Sequence, residues 1–315
     1  MEYRELGKTG LKVSRLCFGG LTVGPLQANL PVEQGAEVIS EAFNRGINFI
    51  DTAELYRTYP YIAVAVKKAK KDVIIASKTY AYDRDGAMRS VEKARRELDR
   101  DVIDIFMLHE QESELTLKGH WEALEYFFNC KARGIIKAVG ISTHHVAAVE
   151  AACGMNVIDV IHPIVNYKGI GIVDGSIEDM LAAIRKAYDK GIGIYAMKPL
   201  GGGNLIQHVE KCLDYVLSIP YIHSIALGMQ SIEEVIANIS YFEGRKVDRE
   251  VLERLKSKKR YLHVEEWCEG CGQCLSACAH QAIYIQNNRL QVKPEKCVLC
   301  GYCGSRCKNF AIKIV

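Results

Sequence analysis

Residues 73–109 read VIIASKTYAYDRDGAMRSVEKARRELDRDVIDIFMLH, and their pattern decides the fold class. Two short apolar runs, Val73–Lys78 and Ile103–His109, flank a segment in which Ser90–Leu98 carries an apolar and a charged face at helical spacing. Strand, helix over Arg89–Leu98, strand is the unit that pairs two parallel strands through a crossover. The same alternation continues on both sides. Before it stand the strand Leu16–Gly19, the helical pattern Gly35–Phe43 and the strand Asn48–Asp51. After it come strands at Ile136–Ser142, Val157–Val165, Ile192–Lys198 and His223–Leu227, with helical patterns at Trp121–Ala132, Ile177–Tyr188, Val209–Leu217 and Ile232–Tyr241. Gly46, Gly134 and Gly191 stand where helix C-caps would precede the next strand. Eight alternations predict an α/β protein built as a (β/α)8 TIM barrel, with an open doubly wound sheet as the competing topology. Tyr3–Ser14 reads as a hairpin turning at Lys8–Gly10, and the charged stretch Gly244–Arg260 as an extra helix or linker. The barrel domain is expected over 1–260 and a second, small α+β module over 261–315.

A chain of 315 residues holds one such barrel, about 250 residues, with room for that module. The formal charge of +3 is too mild to argue for nucleic acid or an anionic membrane as a partner, and no nucleic acid is expected. No apolar run approaches the roughly 20 residues of a membrane span. The opening MEYRELGKTG has no apolar signal region, so a cytoplasmic protein is expected.

Cysteine usage is lopsided. Cys17, Cys130, Cys153 and Cys212 are scattered and read as core groups, whereas the other eight of the twelve crowd between Cys268 and Cys307. Such crowding on a large cysteine-poor domain suits a metal role in a reducing compartment. The eight form two C-x2-C-x2-C-x3-C runs, Cys268, Cys271, Cys274, Cys278 and Cys297, Cys300, Cys303, Cys307. They belong to an internal repeat in which Gly272, Ser276, Ala282, Ile283 and Ile285 recur as Gly301, Ser305, Ala311, Ile312 and Ile314. Structural zinc sites pair shorter knuckles. The runs resemble those of two-cluster bacterial ferredoxins, in which the fourth cysteine of each run serves the other cluster. That resemblance implies two [4Fe-4S] clusters, one on Cys268, Cys271, Cys274 and Cys307, the other on Cys297, Cys300, Cys303 and Cys278. The proline common after each fourth cysteine is Ala279 and Lys308 here.

Four polar residues, Asp51, Tyr56, Lys78 and His109, fall at or just beyond the C-terminal ends of consecutive strands, the rim where barrel active sites form. Around them, LGKTGLKVSRLCFGG (6–20), DTAELY (51–56), SK (77–78), LH (108–109), GIS (140–142), KPLGGG (198–203) and GMQSIEEVIAN (228–238) resemble the aldo-keto reductases over about Tyr3–Tyr241. The resemblance extends to members bearing a C-terminal ferredoxin-like module. It implies an oxidoreductase that moves hydride between a nicotinamide cofactor and a small carbonyl or alcohol substrate. Tyr56 would be the general acid/base, Lys78 would make its phenol more acidic, Asp51 would hold Lys78, and His109 would orient the carbonyl.

The resemblance also places Gly20, Ser142, Leu200, Gly201, Gly228 and Asn238 along the dinucleotide, with Ser142 on the carboxamide. Thr143 and Tyr167 stand where Asn and Gln commonly help, and Met197 where an aromatic ring often stacks. Gly228 and Glu234 replace the usual basic residues for a 2′-phosphate, so NAD(H) competes with NADP(H) unless Lys198 or Arg245 supplies charge. Hydride moves two electrons and a cluster one, which leaves a flavin as a further candidate carrier. Gly201–Gly203 reads as a loop close to a pyrophosphate, Tyr80, Tyr82, His144 and Tyr167 as pocket-lining, and His144–His145 as a solvated or capping pair. Two alternatives stay open: a conduit between NAD(P)H or flavin and an external one-electron carrier such as ferredoxin, and a catalytically weak redox-sensing barrel.

Overall fold

The computed structural model describes residues 1–315. The hairpin β1 (Tyr3–Glu5) and β2 (Lys12–Ser14) precedes the strands β3 (Leu16–Gly19), β4 (Phe49–Asp51), β5 (Ile74–Thr79), β6 (Ile103–Leu108), β7 (Ile136–Thr143), β8 (Val160–Pro163), β9 (Gly193–Met197) and β10 (Ser224–Gly228). All eight are parallel, and β10 pairs back onto β3 with Ile225 opposite Leu16 and Gly228 opposite Gly19. The sheet is therefore a closed barrel, not an open one.

Outside it lie α1 (Val32–Asn44), α2 (Tyr59–Ala69), α3 (Arg84–Leu98), α4 (Glu114–Gly119), α5 (Trp121–Ala132), α6 (Val146–Gly154), α7 (Ile177–Asp189), α8 (Val209–Leu217) and α9 (Ile232–Phe242), then α10 (Arg249–Ser257) in the linker. Three of these do not stand out in the sequence, one of them the six-residue α4. α6 is mostly small apolar residues without a polar face, and α2 opens on Tyr-Pro-Tyr. No helix is long and apolar enough to cross a membrane.

Two cores follow from strand periodicity. One face of each strand packs with the helices in a cluster of 61 buried residues. The other face points into the barrel, where Cys17, Phe49, Ala76, Met107, Val160, Tyr195 and Ala226 pack together with Leu6, Leu11 and Val13 of the hairpin. Cys17, Cys130, Cys153 and Cys212 are all buried.

The C-terminal module pairs β11 (Leu262–Val264) with β14 (Ile312–Ile314), antiparallel. β12 (Ile283–Gln286) and β13 (Arg289–Val292) form a hairpin whose turn, Asn287–Asn288, takes positive φ at both residues, as its two-residue length requires. A short helix, α11 (Tyr302–Ser305), completes it. The module lies against the loop after β9. The Ile314 amide donates to the Gly202 carbonyl at 3.0 Å, Asn204 Nδ2 donates to the Ile312 carbonyl at 3.1 Å, and Phe310 enters the main barrel core.

Gly203 has φ +84°, and a Cβ there would lie 2.1 Å from the Ile314 carbonyl oxygen. The glycine run thus serves the docking of β14. Gly203→Ala is expected to cost about 2–4 kcal/mol through strain and overpacking. Its effect should be localised: faster hydrogen exchange at the Ile314 amide, with barrel amides unchanged.

Candidate active site

Period-two alternation builds the site. Two residues beyond the inward-facing Phe49, Ala76, Met107, Val160 and Tyr195 come Asp51, Lys78, His109, His162 and Met197, at the C-terminal rim. Lys78 is 1% exposed and donates to both Asp51 oxygens, at 2.7 and 2.8 Å, and to the Thr52 carbonyl at 2.8 Å. All three ammonium hydrogens are thereby engaged. Tyr195 donates its hydroxyl to Asp51 Oδ1 at 2.8 Å. Burial alone would raise the Asp51 carboxyl, but the Lys78 ammonium and these partners hold it below its usual range.

Tyr56 arrives from the turn after β4. Its hydroxyl lies 3.4 Å from His109 Nε2, and Lys78 Nζ sits 5.1 Å from its ring centroid. Burial, then the Asp51 carboxylate, push the phenol well above its usual value. The ammonium expected to make the phenol more acidic is bound to Asp51, whose carboxylate acts on the phenol in the opposite sense. Burial and the Lys78 charge keep His109 neutral. Tyr80 stacks on His109 at 4.5 Å and donates to Glu110 Oε2 at 2.5 Å.

A cleft of about 740 Å³ opens from Asp51 and Tyr56. Met197, Leu200, Gly228, Glu234 and Asn238 line it. Several other expected contacts lie elsewhere. Gly19 rather than Gly20 reaches the cleft, because Gly20 packs against the Asp51 carbonyl. Thr143 Oγ1 donates to the Gln111 carbonyl at 2.6 Å and so spends its hydrogen within the protein, whereas Ser142 Oγ accepts from the Glu110 amide at 2.9 Å and keeps its own hydrogen to donate. Gly201 turns back to the Lys198 carbonyl and is not a lining residue. Tyr167 faces a groove beside the C-terminal module, and Tyr82 is 65% exposed.

Glu234 is not the lone carboxylate that its position suggests. Its Oε1 accepts from Lys258 Nζ at 2.7 Å and from Arg260 at 3.1 Å, and its Oε2 accepts from the Gln230 amide at 2.7 Å. The linker after α10 therefore supplies two cations to this end of the cleft, whereas Arg245 pairs with Glu243. Lys198 lies at the other end, against His144 Nε2 at 2.5 Å. His144 is thus a partner of a cleft lysine rather than a solvated cap.

In the C-terminal module, Cys268, Cys271, Cys274 and Cys307 line one cavity, and Cys278, Cys297, Cys300 and Cys303 line another. Four thiols around each cavity are a donor set that suits an iron–sulfur cubane. Gly272 and Gly301 both have φ +78°, a conformation open to glycine at the sharp turns between ligands.

Sequence reading misses Tyr195, His162 and the module's Phe310 and Lys313, all at or beside the cleft, and it names Lys198 and His144 without pairing them. His162 Nδ1 donates to the Tyr195 carbonyl at 2.6 Å and burial lowers its pKa to about 4, so its Nε2 stays an unprotonated acceptor at the cleft. For Tyr195 and His162 the only signal is their inward register, which core residues share.

Comparison with known proteins agrees with this architecture. The sequence model of the aldo/keto reductase family matches residues 15–212, and that of the 4Fe-4S dicluster domain matches residues 267–311. The chain is similar to the L-galactose dehydrogenase of Arabidopsis thaliana, 25% identical over 324 residues covering 87% of this chain and 99% of that protein. It is also similar to the uncharacterized oxidoreductase YqkF of Bacillus subtilis, 24% identical over 82% of this chain and 96% of the relative. In fold it resembles the aldo-keto reductase AKR11C1 from Bacillus halodurans, with TM-score 0.65 at 22% identity, covering 81% of this chain and 95% of that one.

Proposed function

The chain belongs to the aldo/keto reductase family, and from that premise we propose that it reduces the carbonyl of a small molecule to an alcohol, with Tyr56 as proton donor. One observation carries the reading. A buried Asp51–Lys78 pair, a neutral His109 and the Tyr56 hydroxyl converge on the inner end of a cleft long enough for an extended dinucleotide. A bound nicotinamide would supply hydride to the carbonyl carbon.

The protein's own residues do the rest. Tyr56 keeps its proton at every physiological pH and gives it to the oxygen as negative charge develops there. His109, neutral and within reach of the same point, orients that oxygen. The Asp51–Lys78 pair, tied down by Tyr195 and the Thr52 carbonyl, fixes the floor beneath both. A phenol held this high is fully protonated at neutral pH, and its proton becomes transferable as negative charge develops on the carbonyl oxygen. Glu234 has both oxygens occupied, and Lys258 and Arg260 outweigh it, which favours a 2′-phosphate and hence NADP(H) over NAD(H).

A role for the clusters as electron carriers has its own support. A second groove, between the module and the barrel, is lined by Cys300 and Cys307 together with Lys168, Lys211, Arg306 and Lys308, and no Asp or Glu lines it. It suits an acidic one-electron carrier protein docking beside cluster ligands.

One anaerobic experiment tests both readings. With NADPH deuterated at the transferable position, deuterium should appear on the carbinol carbon of product from short aldehydes or ketones, with a lower KM than for NADH. Electron paramagnetic resonance on the same mixture should show clusters reduced by NADPH. Absence of label across the carbonyl panel would remove the reductase reading, and silent clusters would remove the carrier.

A further inference from the structure

We propose that the carbonyl compound reduced at this site carries a carboxylate, and that Lys198 is the residue that binds it. The inference rests on the carbonyl-reductase reading and adds the class of substrate. Lys198 directly follows β9 and lines the same cleft as Asp51 and Tyr56. Its Nζ has two neighbours: His144 Nε2 at 2.5 Å and the face of the Phe310 ring, 4.6 Å from the centroid. Neither carries negative charge. His144 is kept neutral by burial and by Lys198 itself, so it only accepts one ammonium hydrogen and leaves two free.

Other cations of the cleft are paired or lie away from Lys198: Lys211 sits over the Tyr167 ring, and Lys256 belongs to α10. Lys78 pairs with Asp51, Lys313 with Glu265, and Arg260 with Glu234. Lys198 holds its charge without an ion pair, in a place dry enough that burial brings its pKa down to about 7, against the pull of Glu110. A half-buried ammonium without a counter-ion is costly, and a ligand carboxylate relieves that cost. On the His109 side, where Lys78 and Lys313 are paired, this one cation matches a single negative charge.

The backbone agrees with a functional placement. Lys198 has φ +57°, a left-handed conformation uncommon outside glycine, held by the Gly201 amide donating to its carbonyl at 2.8 Å. The position also fits the chemistry. Lys198 acts on the charge state of both His109 and Glu110, and Glu110 is bonded to Tyr80, which stacks on His109. It therefore shares the His109 side of the cleft, where the carbonyl must lie to reach Tyr56. Phe310 and His144, at 5.5 Å edge to face, wall this corner, so the C-terminal module helps to shape the substrate pocket.

The test compares 4-oxobutanoate with its methyl ester in the intact, cluster-loaded protein and in Lys198→Met and Lys198→Arg. Lys198→Met should raise KM for the acid by about 10–100-fold, the weight of a charged hydrogen bond. It should leave the ester and the fluorescence-titrated NADPH affinity unchanged, and Lys198→Arg should recover part of the loss. Calorimetric titration with butanoate reads the same site without turnover, and its binding should vanish in Lys198→Met. Equal losses on acid and ester, or a loss confined to NADPH affinity, would overturn the proposal; the second outcome would assign Lys198 to the dinucleotide pyrophosphate. Wild-type protein that turns over the ester with no preference for the acid also overturns it, while leaving carbonyl reduction intact. Protein that binds butanoate through Lys198 but reduces neither carbonyl does the reverse.

Discussion

Tyr56→Phe is expected to lower kcat for carbonyl reduction by about 10²–10⁴-fold, the usual contribution of a positioned general acid. The change removes one oxygen and leaves the ring, so packing over Lys78, 5.1 Å away, survives. NADPH affinity and iron content should not move, which separates loss of the proton donor from loss of the fold. The pH profile gives a second check. Burial and Asp51 raise the phenol, so kcat of the wild type should stay flat from neutral into mildly alkaline pH, with no fall as pH rises through 9. A profile that falls near neutrality with the protonated form of His109 is ruled out in advance, because burial holds that imidazole neutral. A Tyr56→Phe variant that keeps near-wild-type kcat would take Tyr56 out of the reaction.

The parts of this molecule legible in the sequence are those that local periodicity writes. All eight barrel strands lie where the apolar runs place them, because inward and outward faces alternate and helices intervene. Asp51, Lys78 and His109 reach one rim because each lies two residues beyond an inward core residue. The dicluster module is read from cysteine spacing, since four ligands on a cube tolerate little variation in loop length. What was not legible depends on contacts far apart in the chain. Glu234 looks like a repulsive carboxylate until Lys258 and Arg260 fold back on it from the linker. Gly202 and Gly203 read as a loop close to a pyrophosphate, and only the fold brings β14 to lie on them. Tyr167 differs for a simpler reason. The loop after β8 turns at Gly169 and Gly171, both at positive φ, and carries the ring out to Lys168 and Lys211 instead of into the cleft.

Removal of the clusters should melt the C-terminal module and disable the barrel site without unfolding the barrel. The module's buried core is seven residues, of which Cys274 and Cys303 are two, too small to hold about 55 residues by apolar burial. Metal ligation must therefore supply much of its folding free energy, on the order of 10 kcal/mol by analogy with small metal-dependent domains. The barrel has its own 61-residue core, to which the module contributes only Phe310. Anaerobic chelation should thus abolish hydrogen-exchange protection at Ile283, Leu290 and Ile314, while β3 to β10 keep theirs. The site should still fail. Phe310, Lys313, Ile314 and Val315 wall the cleft, and Lys198 loses the ring that covers it. NADPH affinity and carbonyl turnover should fall together, even if no electron passes through a cluster in the reaction. Cys303→Ser is the milder version, removing a ligand from the cavity that packs, through Gly301 and Gly304, on Asn204 of the barrel loop. Retained protection at Ile314 in iron-free protein would show that the module folds without its metal, and the dependence of the barrel site on the clusters would then have to be electronic.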